Sequence, residues 1–232
     1  MLKGPGKSKL RDFKSDIKKL RTHLIVCGAF LLAAAIAVLL AGEKRVYNGF
    51  RGFVLEHDSI SSFLQFFSEY GNFVFYTLFF VICILGLIGK RRELFYYSLV
   101  YIIVQLIAAV FLTRILKIAI GRPRPEAGPT PDYWTGSERN SFPSGHTADM
   151  ACSSSVLSYF VCSVILRIVL YILLVLMGLS RIGVGSHYPF DVIAGAFIGL
   201  FTGFIVSHLF ASRMLPRIRL RRAKDEKETP PQ

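Results

Sequence analysis

Three short stretches of this 232-residue chain hold the residue types that phosphoryl transfer requires. The first places Lys117 seven residues before Arg124 and Pro125. The second is Pro143-Ser144-Gly145-His146, and the third is Ser180-Arg181 followed by His187 and Asp191. An arginine presents a planar fork of donors to phosphate oxygens, and a lysine presents a point charge. Ser144 can add a hydroxyl donor. Gly145, at the start of a predicted helix, lets an anion approach the backbone and the helix N-terminal N–H groups. Lys117, Arg124, Arg181, Ser144 and Gly145 are therefore the candidate phosphate-binding residues. Together they can hold the equatorial oxygens of a phosphoryl group in flight.

Two histidines complete the set. His187 and Asp191 are spaced i, i+4, which puts them on one face if a helix begins before His187. Pro189 suits the first turn of a helix, so the same spacing also fits a helix entry. In either case the carboxylate can accept a hydrogen bond from one imidazole nitrogen. The other nitrogen is then free to attack phosphorus. His146 can protonate a leaving alkoxide and then take a proton from the incoming water. Each residue alone has a bland explanation: a histidine at a helix end is commonly structural, and an arginine at a span end snorkels. The combination of three cations, two histidines, a Ser-Gly pair and a carboxylate does not reduce to those explanations. Arg122 forms a second Arg-Pro pair and either assists or faces headgroups. Asp149, one turn after His146, either pairs with a cation or satisfies polar contacts at the helix start. His208 lies far along the last apolar run and is assigned no role.

The elements that must carry these residues are apolar. Residues 24–42, 70–89 and 94–113 contain no charge, and each run is about as long as a bilayer crossing needs, roughly 20 residues. Residues 150–166 and 192–212 form two more runs, and 168–180 a shorter one that extends to Val184 if Arg181 sits at its end. The expectation is an all-α, polytopic membrane bundle of six transmembrane helices. Alternation then brings all three clusters to one membrane face. The domain layout is a basic tail at 1–22, the bundle at 23–212, and a basic and polar tail at 213–232. In the first outer loop, Ile60, Phe63, Leu64 and Phe67 follow a helical period, with Asp58 or Ser59 as cap, which predicts an interfacial helix. Residues 121–143 are rich in proline, hold the only tryptophan, Trp134, and read as an irregular outer loop. The first apolar run exceeds the usual core of a signal peptide and reads as an uncleaved anchor.

A net charge of +13 would suit nucleic acid, but its distribution argues against that partner. Eight Lys and Arg precede Thr22, seven follow Ser212, and Lys90-Arg91-Arg92 and Arg167 close the second and fourth runs. With alternating spans these sites share one side, and the positive-inside rule places both termini in the cytoplasm. Cys27, Cys83, Cys152 and Cys162 all sit in apolar runs without zinc or disulfide spacing.

At these residues the chain resembles the type 2 phosphatidic acid phosphatases. Their signature is Lys-x6-Arg-Pro, Pro-Ser-Gly-His and Ser-Arg-x5-His-x3-Asp, and every position is matched from Lys117 to Asp191. The resemblance implies a phosphohistidine on His187, oriented by Asp191, with His146 as acid and base. It implies no cofactor and no metal, which agrees with the lack of a carboxylate-rich cluster suited to magnesium. It implies a lipid phosphate as substrate, cleaved at the outer face of what is read as a bacterial inner membrane. Undecaprenyl diphosphate, phosphatidylglycerophosphate, phosphatidic acid and lipid A are the candidate substrates, with membrane lipids as surroundings and no obligate protein partner. A lipid-to-lipid phosphotransferase could use the same residues. A non-catalytic lipid-binding or transport protein is the third reading, and the presence of His187, His146 and Asp191 counts against it.

Overall fold

A computed structural model of the chain describes residues 6–127, 139–161, 163–214 and 216. The Trp134 part of the proline-rich loop, Cys162 and most of the C-terminal tail lie outside the described residues. Among the described residues the regular structure is entirely helical.

Helix α1 (Gly6–Ala41) joins the basic segment and the first apolar run in one helix, so the tail expected at 1–22 is helical from Gly6 onward. Gly42 turns the chain at φ 84° into α2 (Glu43–Leu55), and α3 (Asp58–Ile88) follows. The expected interfacial helix is therefore not a separate element, because its residues are the first turns of α3. The N-cap of α3 is His57 rather than Asp58 or Ser59, and Asp58 instead supplies the first-turn negative charge. Helix α4 (Arg92–Gln105) passes through a π-helical segment (Leu106–Leu112) into α5 (Thr113–Ile120), which ends on left-handed Gly121. Helix α6 (Gly145–Phe160) is shorter than the run at 150–166 and starts earlier. The chain breaks near Val161, and α7 (Val164–Gly183) takes over the last residues of that run. Helix α8 (Pro189–Leu209) continues into a π-helical turn (Phe210–Met214).

Four of these helices are long and apolar enough to cross a membrane: Arg21–Ala41, Asp58–Ile88, Val164–Gly183 and Pro189–Ser212. Of the six runs expected to span, the third is interrupted by the π-helical segment and the fourth is a 16-residue helix rich in serine. The protein is an integral membrane protein, and its surface shows why. Ile25, Phe30, Phe73, Leu87, Ile165 and Phe197 all point outward, which is the reverse of a soluble fold.

Polar and small residues share the interior with buried aromatic and aliphatic side chains. Helices α6 and α8 lie parallel, because Gly195, Gly199 and Gly203 meet Ser144, Ala148 and Ser155 in the same order. A Cβ on Gly199 would lie 2.1 Å from the Ala148 carbonyl oxygen. Small residues at this spacing let two backbones touch where lipid offers no hydrophobic drive for association. Beside them, Phe79 of α3 stacks on Tyr101 of α4 at 3.6 Å, and the Tyr97 and Tyr101 hydroxyls reach Val156 O and Ser153 Oγ. This packing fixes the start of α6 against the start of α8.

Candidate active site

The site lies where the C-terminal ends of α5 and α7 meet the N-terminal ends of α6 and α8. Ser144 donates its backbone N–H to the Asp191 carbonyl at 2.9 Å, which joins the second cluster to the third. The turn from α7 to α8 requires Gly185, at φ 78° and with the Glu126 carboxylate packed where a Cβ would be. That turn returns His187 toward Arg181, whose carbonyl accepts the His187 backbone N–H. Helix α8 begins at Pro189, so His187 stands before the helix and the entry reading of the His187–Asp191 spacing is the one realised.

Asp191 is fully buried and heavily engaged. Its Oδ1 accepts from Arg122 at 2.6 Å, and its Oδ2 accepts from Ser141 Oγ at 2.5 Å and from the Tyr188 N–H at 2.8 Å. His187 Nδ1 lies 3.8 Å from Oδ2. That is an ion-pair distance and too long for the hydrogen bond expected from the sequence. Nδ1 has no hydrogen-bond partner and is buried. Catalytic hydrogen bonds of this kind commonly tighten only around a substrate.

The cations divide into two kinds. Arg122 is spoken for: besides Asp191 it binds Glu43 Oε2, and it lies over the Tyr188 ring at 4.6 Å from the centroid. Glu43 in turn accepts the Phe190 N–H at 2.9 Å. Lys117, Arg124 and Arg181 form no ion pair among the described residues. Arg181 bonds Ser68 of α3 through one terminal nitrogen, and its Nε is buried without a partner, as is the Nε of Arg124. Lys117, Arg124, Arg181 and His146 lie close enough to act on one another electrostatically, and His187 feels Arg181 and Lys117. Arg122 is thus committed to two carboxylates, while Arg124, the arginine picked out by the spacing, keeps an unpartnered Nε.

Ser144 is buried, and its hydroxyl pairs with Thr147 Oγ1 at 2.9 Å; either atom can donate. A Cβ at Gly145 would touch no protein atom within 4 Å. Packing therefore does not demand glycine there, and what glycine supplies is access to the first N–H groups of α6.

Burial drives the His187 imidazole down to about 4. The Asp191 contact opposes this, while the Arg181 and Lys117 charges add to it. Lys117 is lowered to about 8 by burial and then by Arg124, Arg181 and Arg114, with Asp149 acting the other way. His146, at the N-terminal end of α6, is also pushed down, by burial and then by Arg181, His187, Lys117 and Arg124. At neutral pH both imidazoles are unprotonated and the three cations are charged. The arrangement can accept a dianion and present it to a neutral nitrogen nucleophile.

Several positioning groups escaped the sequence reading. Ser68, Asn72 and Tyr76 recur at i, i+4 and i+8 on α3 and reach Arg181, the His146 carbonyl and Asp149. A polar stripe of that period on an apolar helix was the available signal. Glu43 and Ser141 gave none, because their partners lie 147 and 50 residues away. Arg51 clips Glu126 and the Gly183 carbonyl, tying α2 to the turn. Among the described residues, no three His, Cys, Asp or Glu side chains are grouped to hold a metal.

Known proteins resemble this chain in sequence and in fold. Residues 98–215 match the PAP2 superfamily. Phosphatidylglycerophosphatase B of Bacillus subtilis (strain 168) is 33% identical over 104 residues, covering 41% of this chain and 49% of that protein. A lipid A 1-phosphatase of Rhizobium johnstonii is 32% identical over 123 residues, covering 48% and 47%. The chain thus spans about half the length of the curated relatives it matches. Two crystal structures share the fold. Aquifex aeolicus LpxE has a TM-score of 0.53 at 24% identity, covering 71% of this chain and 93% of that one. The first transmembrane PAP2 type phosphatidylglycerolphosphate phosphatase from Bacillus subtilis has a TM-score of 0.55 at 22% identity, covering 89% and 97%.

Proposed function

The chain belongs to the PAP2 superfamily, and from that premise we propose that it is a metal-independent lipid phosphatase. It hydrolyses a phosphomonoester or diphosphate of a membrane lipid at the outer face of the membrane, with both termini in the cytoplasm. The observation that carries this reading is the convergence of uncommitted Arg124 and Arg181 donors, Lys117 and two neutral histidines at one end of the bundle.

Lys117, Arg124, Arg181, the Ser144 hydroxyl and the first N–H groups of α6 bind the phosphoryl oxygens. His187 attacks phosphorus through Nε2, because Nδ1 faces Asp191. The bond from phosphorus to the lipid oxygen breaks, and His146 donates a proton to that oxygen. The arriving dianion offsets the cations around His146 and raises its proton affinity, so the substrate helps to load the acid it needs. Once the lipid alcohol or monophosphate has left, His146 takes a proton from water. The resulting hydroxide attacks phosphohistidine, releasing phosphate and restoring His187. Asp191 steadies the imidazolium character that develops during attack.

The test is phosphate release by the purified protein in detergent with EDTA, over a panel of lipid phosphates and diphosphates. Release that persists in EDTA and disappears in His187→Ala is the expected result. Label recovered mainly on a second lipid would replace hydrolysis by transfer, and no turnover of any lipid by folded protein would overturn the reading.

A further inference from the structure

Asp149 is a half-buried carboxylate that the mechanism leaves unused. Asp149 lies three residues after His146, about 5 Å along α6, at the head of a crevice of about 610 Å³ between α3 and the junction of α4 with the π-helical segment. Phe80, Ile102 and Leu106 make that crevice apolar along its length. At its head, Tyr76 Oη donates to Asp149 Oδ2 at 2.6 Å, and Gln105 Nε2 donates to Oδ1 at 2.9 Å. Both donors are neutral, and each carboxylate oxygen keeps a second lone pair. A carboxylate bordering an apolar crevice in a membrane protein is costly to keep and signals a task.

Three further observations tie the crevice to the reaction. Asn72, one turn before Tyr76 on α3, binds the His146 carbonyl, so the wall of the crevice continues into the wall of the site. The charges of Asp149 and Lys117 act on one another. Leu106 opens the π-helical segment, an irregularity that is frequent at functional sites. The larger cavity, about 740 Å³ among α1, α7 and α8, carries no ionised side chain.

Resting on the lipid-phosphatase reading, we propose that this crevice seats the first part of one acyl chain of the substrate, and that Asp149 accepts a hydrogen bond from a hydroxyl or amide N–H on that chain beside the phosphorylated headgroup. The substrate class is then a lipid phosphate with a donor-bearing chain. Polyprenyl diphosphates, whose chains have no donor, gain nothing from Asp149.

The test uses three synthetic glucosamine 1-phosphates: one with an N-linked 3-hydroxymyristoyl chain, one with an N-linked myristoyl chain, and one with the myristoyl chain ester-linked. Undecaprenyl diphosphate serves as the control. The readout is the ratio of kcat/KM between lipids within each protein, which does not depend on the active fraction, so a poorly folding variant still reports. The wild type is expected to favour a donor-bearing lipid over the ester by about tenfold, the scale of a hydrogen bond to a charged group. In Asp149→Leu that ratio falls toward one through KM, while the wild-type and variant proteins keep similar KM values for undecaprenyl diphosphate. Phe80→Trp, which narrows the crevice, should raise KM for all three glucosamine lipids and leave a short-chain soluble phosphate ester unaffected. A wild-type ratio near one, or a ratio retained in Asp149→Leu, overturns the proposal and leaves Asp149 as a counter-charge for Lys117. Failure of the wild type to hydrolyse any lipid overturns the phosphatase reading and this one with it.

Discussion

Asp191 and Asp149 begin parallel helices at the same end of the bundle, yet they are held in different ways. Asp191 is sealed from solvent, takes two charge-neutral donors and a guanidinium, and has His187 beside it. Asp149 is half-buried at the head of a crevice and has only a phenol and an amide for company. The first carboxylate is over-determined, with donors from three separate stretches of chain fixing its orientation. Such a group suits aligning an imidazole. The second keeps acceptor capacity on a surface that lipid can reach, which suits recognition. The difference lies in the partners rather than in the residue type.

The comparison can be broken most forcefully at Asp191. Asp191→Asn should lower kcat by roughly 10²–10⁴-fold, the scale of losing an oriented acid–base partner. Asp149→Asn should change kcat on undecaprenyl diphosphate by less than about threefold. Steady-state kinetics on that lipid reads both, and equal losses would erase the distinction. Next in size is the contrast between the two arginines. Arg124→Lys should cost about 10–100-fold in kcat/KM, because the fork that binds phosphate oxygens is lost. Arg122→Lys should act mainly on the melting temperature, because Arg122 bridges Glu43 and Asp191. A larger kinetic loss at Arg122 would reverse the assignment.

A smaller effect is expected in the pH profile. With Lys117 held at about 8, kcat/KM should decline above about pH 8 as its charge is lost. Lys117→Arg keeps the charge and should extend the plateau by at least about one unit. An unmoved alkaline limb would assign it to another group. His187, at about 4, stays neutral over this range. Because the folded protein resists protonating it, the unfolded chain binds more protons between about pH 6.5 and 4. Stability should therefore fall as pH drops through that window. The least effect on chemistry is expected from Gly199→Ala. Its Cβ would meet the Ala148 carbonyl, so it should cost stability, about 1–3 kcal/mol by thermal or denaturant unfolding, and leave KM nearly unchanged.

Most of the candidate site residues were legible in the sequence because they come as local motifs at helix ends. Lys117, Arg124, Ser144, His146, Arg181, His187 and Asp191 could each be placed from spacing and from the alternation of apolar runs. The helices themselves were read less well. Charge-free runs mark what lipid tolerates, not where hydrogen bonding stops. The break near Val161 and the π-helical segment therefore left no trace in hydropathy. The contacts that hold Asp191 were illegible for a different reason. Glu43 and Ser141 are ordinary polar residues until folding brings α2 and the loop before α6 against α8. The stripe of Ser68, Asn72 and Tyr76 was visible in principle, but it was hidden by the apolar residues around it.

The central claim is that His187 carries the phosphoryl group, and the most direct test is to catch it there. Purified protein would be mixed with a lipid labelled in its terminal phosphate, quenched in alkali within the first turnover, and digested for mass spectrometry. The account predicts an alkali-stable, acid-labile label on the peptide containing His187, absent in His187→Ala and accumulating in a variant of His146 that forms the adduct but cannot hydrolyse it. A label on another residue, or turnover that continues in His187→Ala, would contradict it.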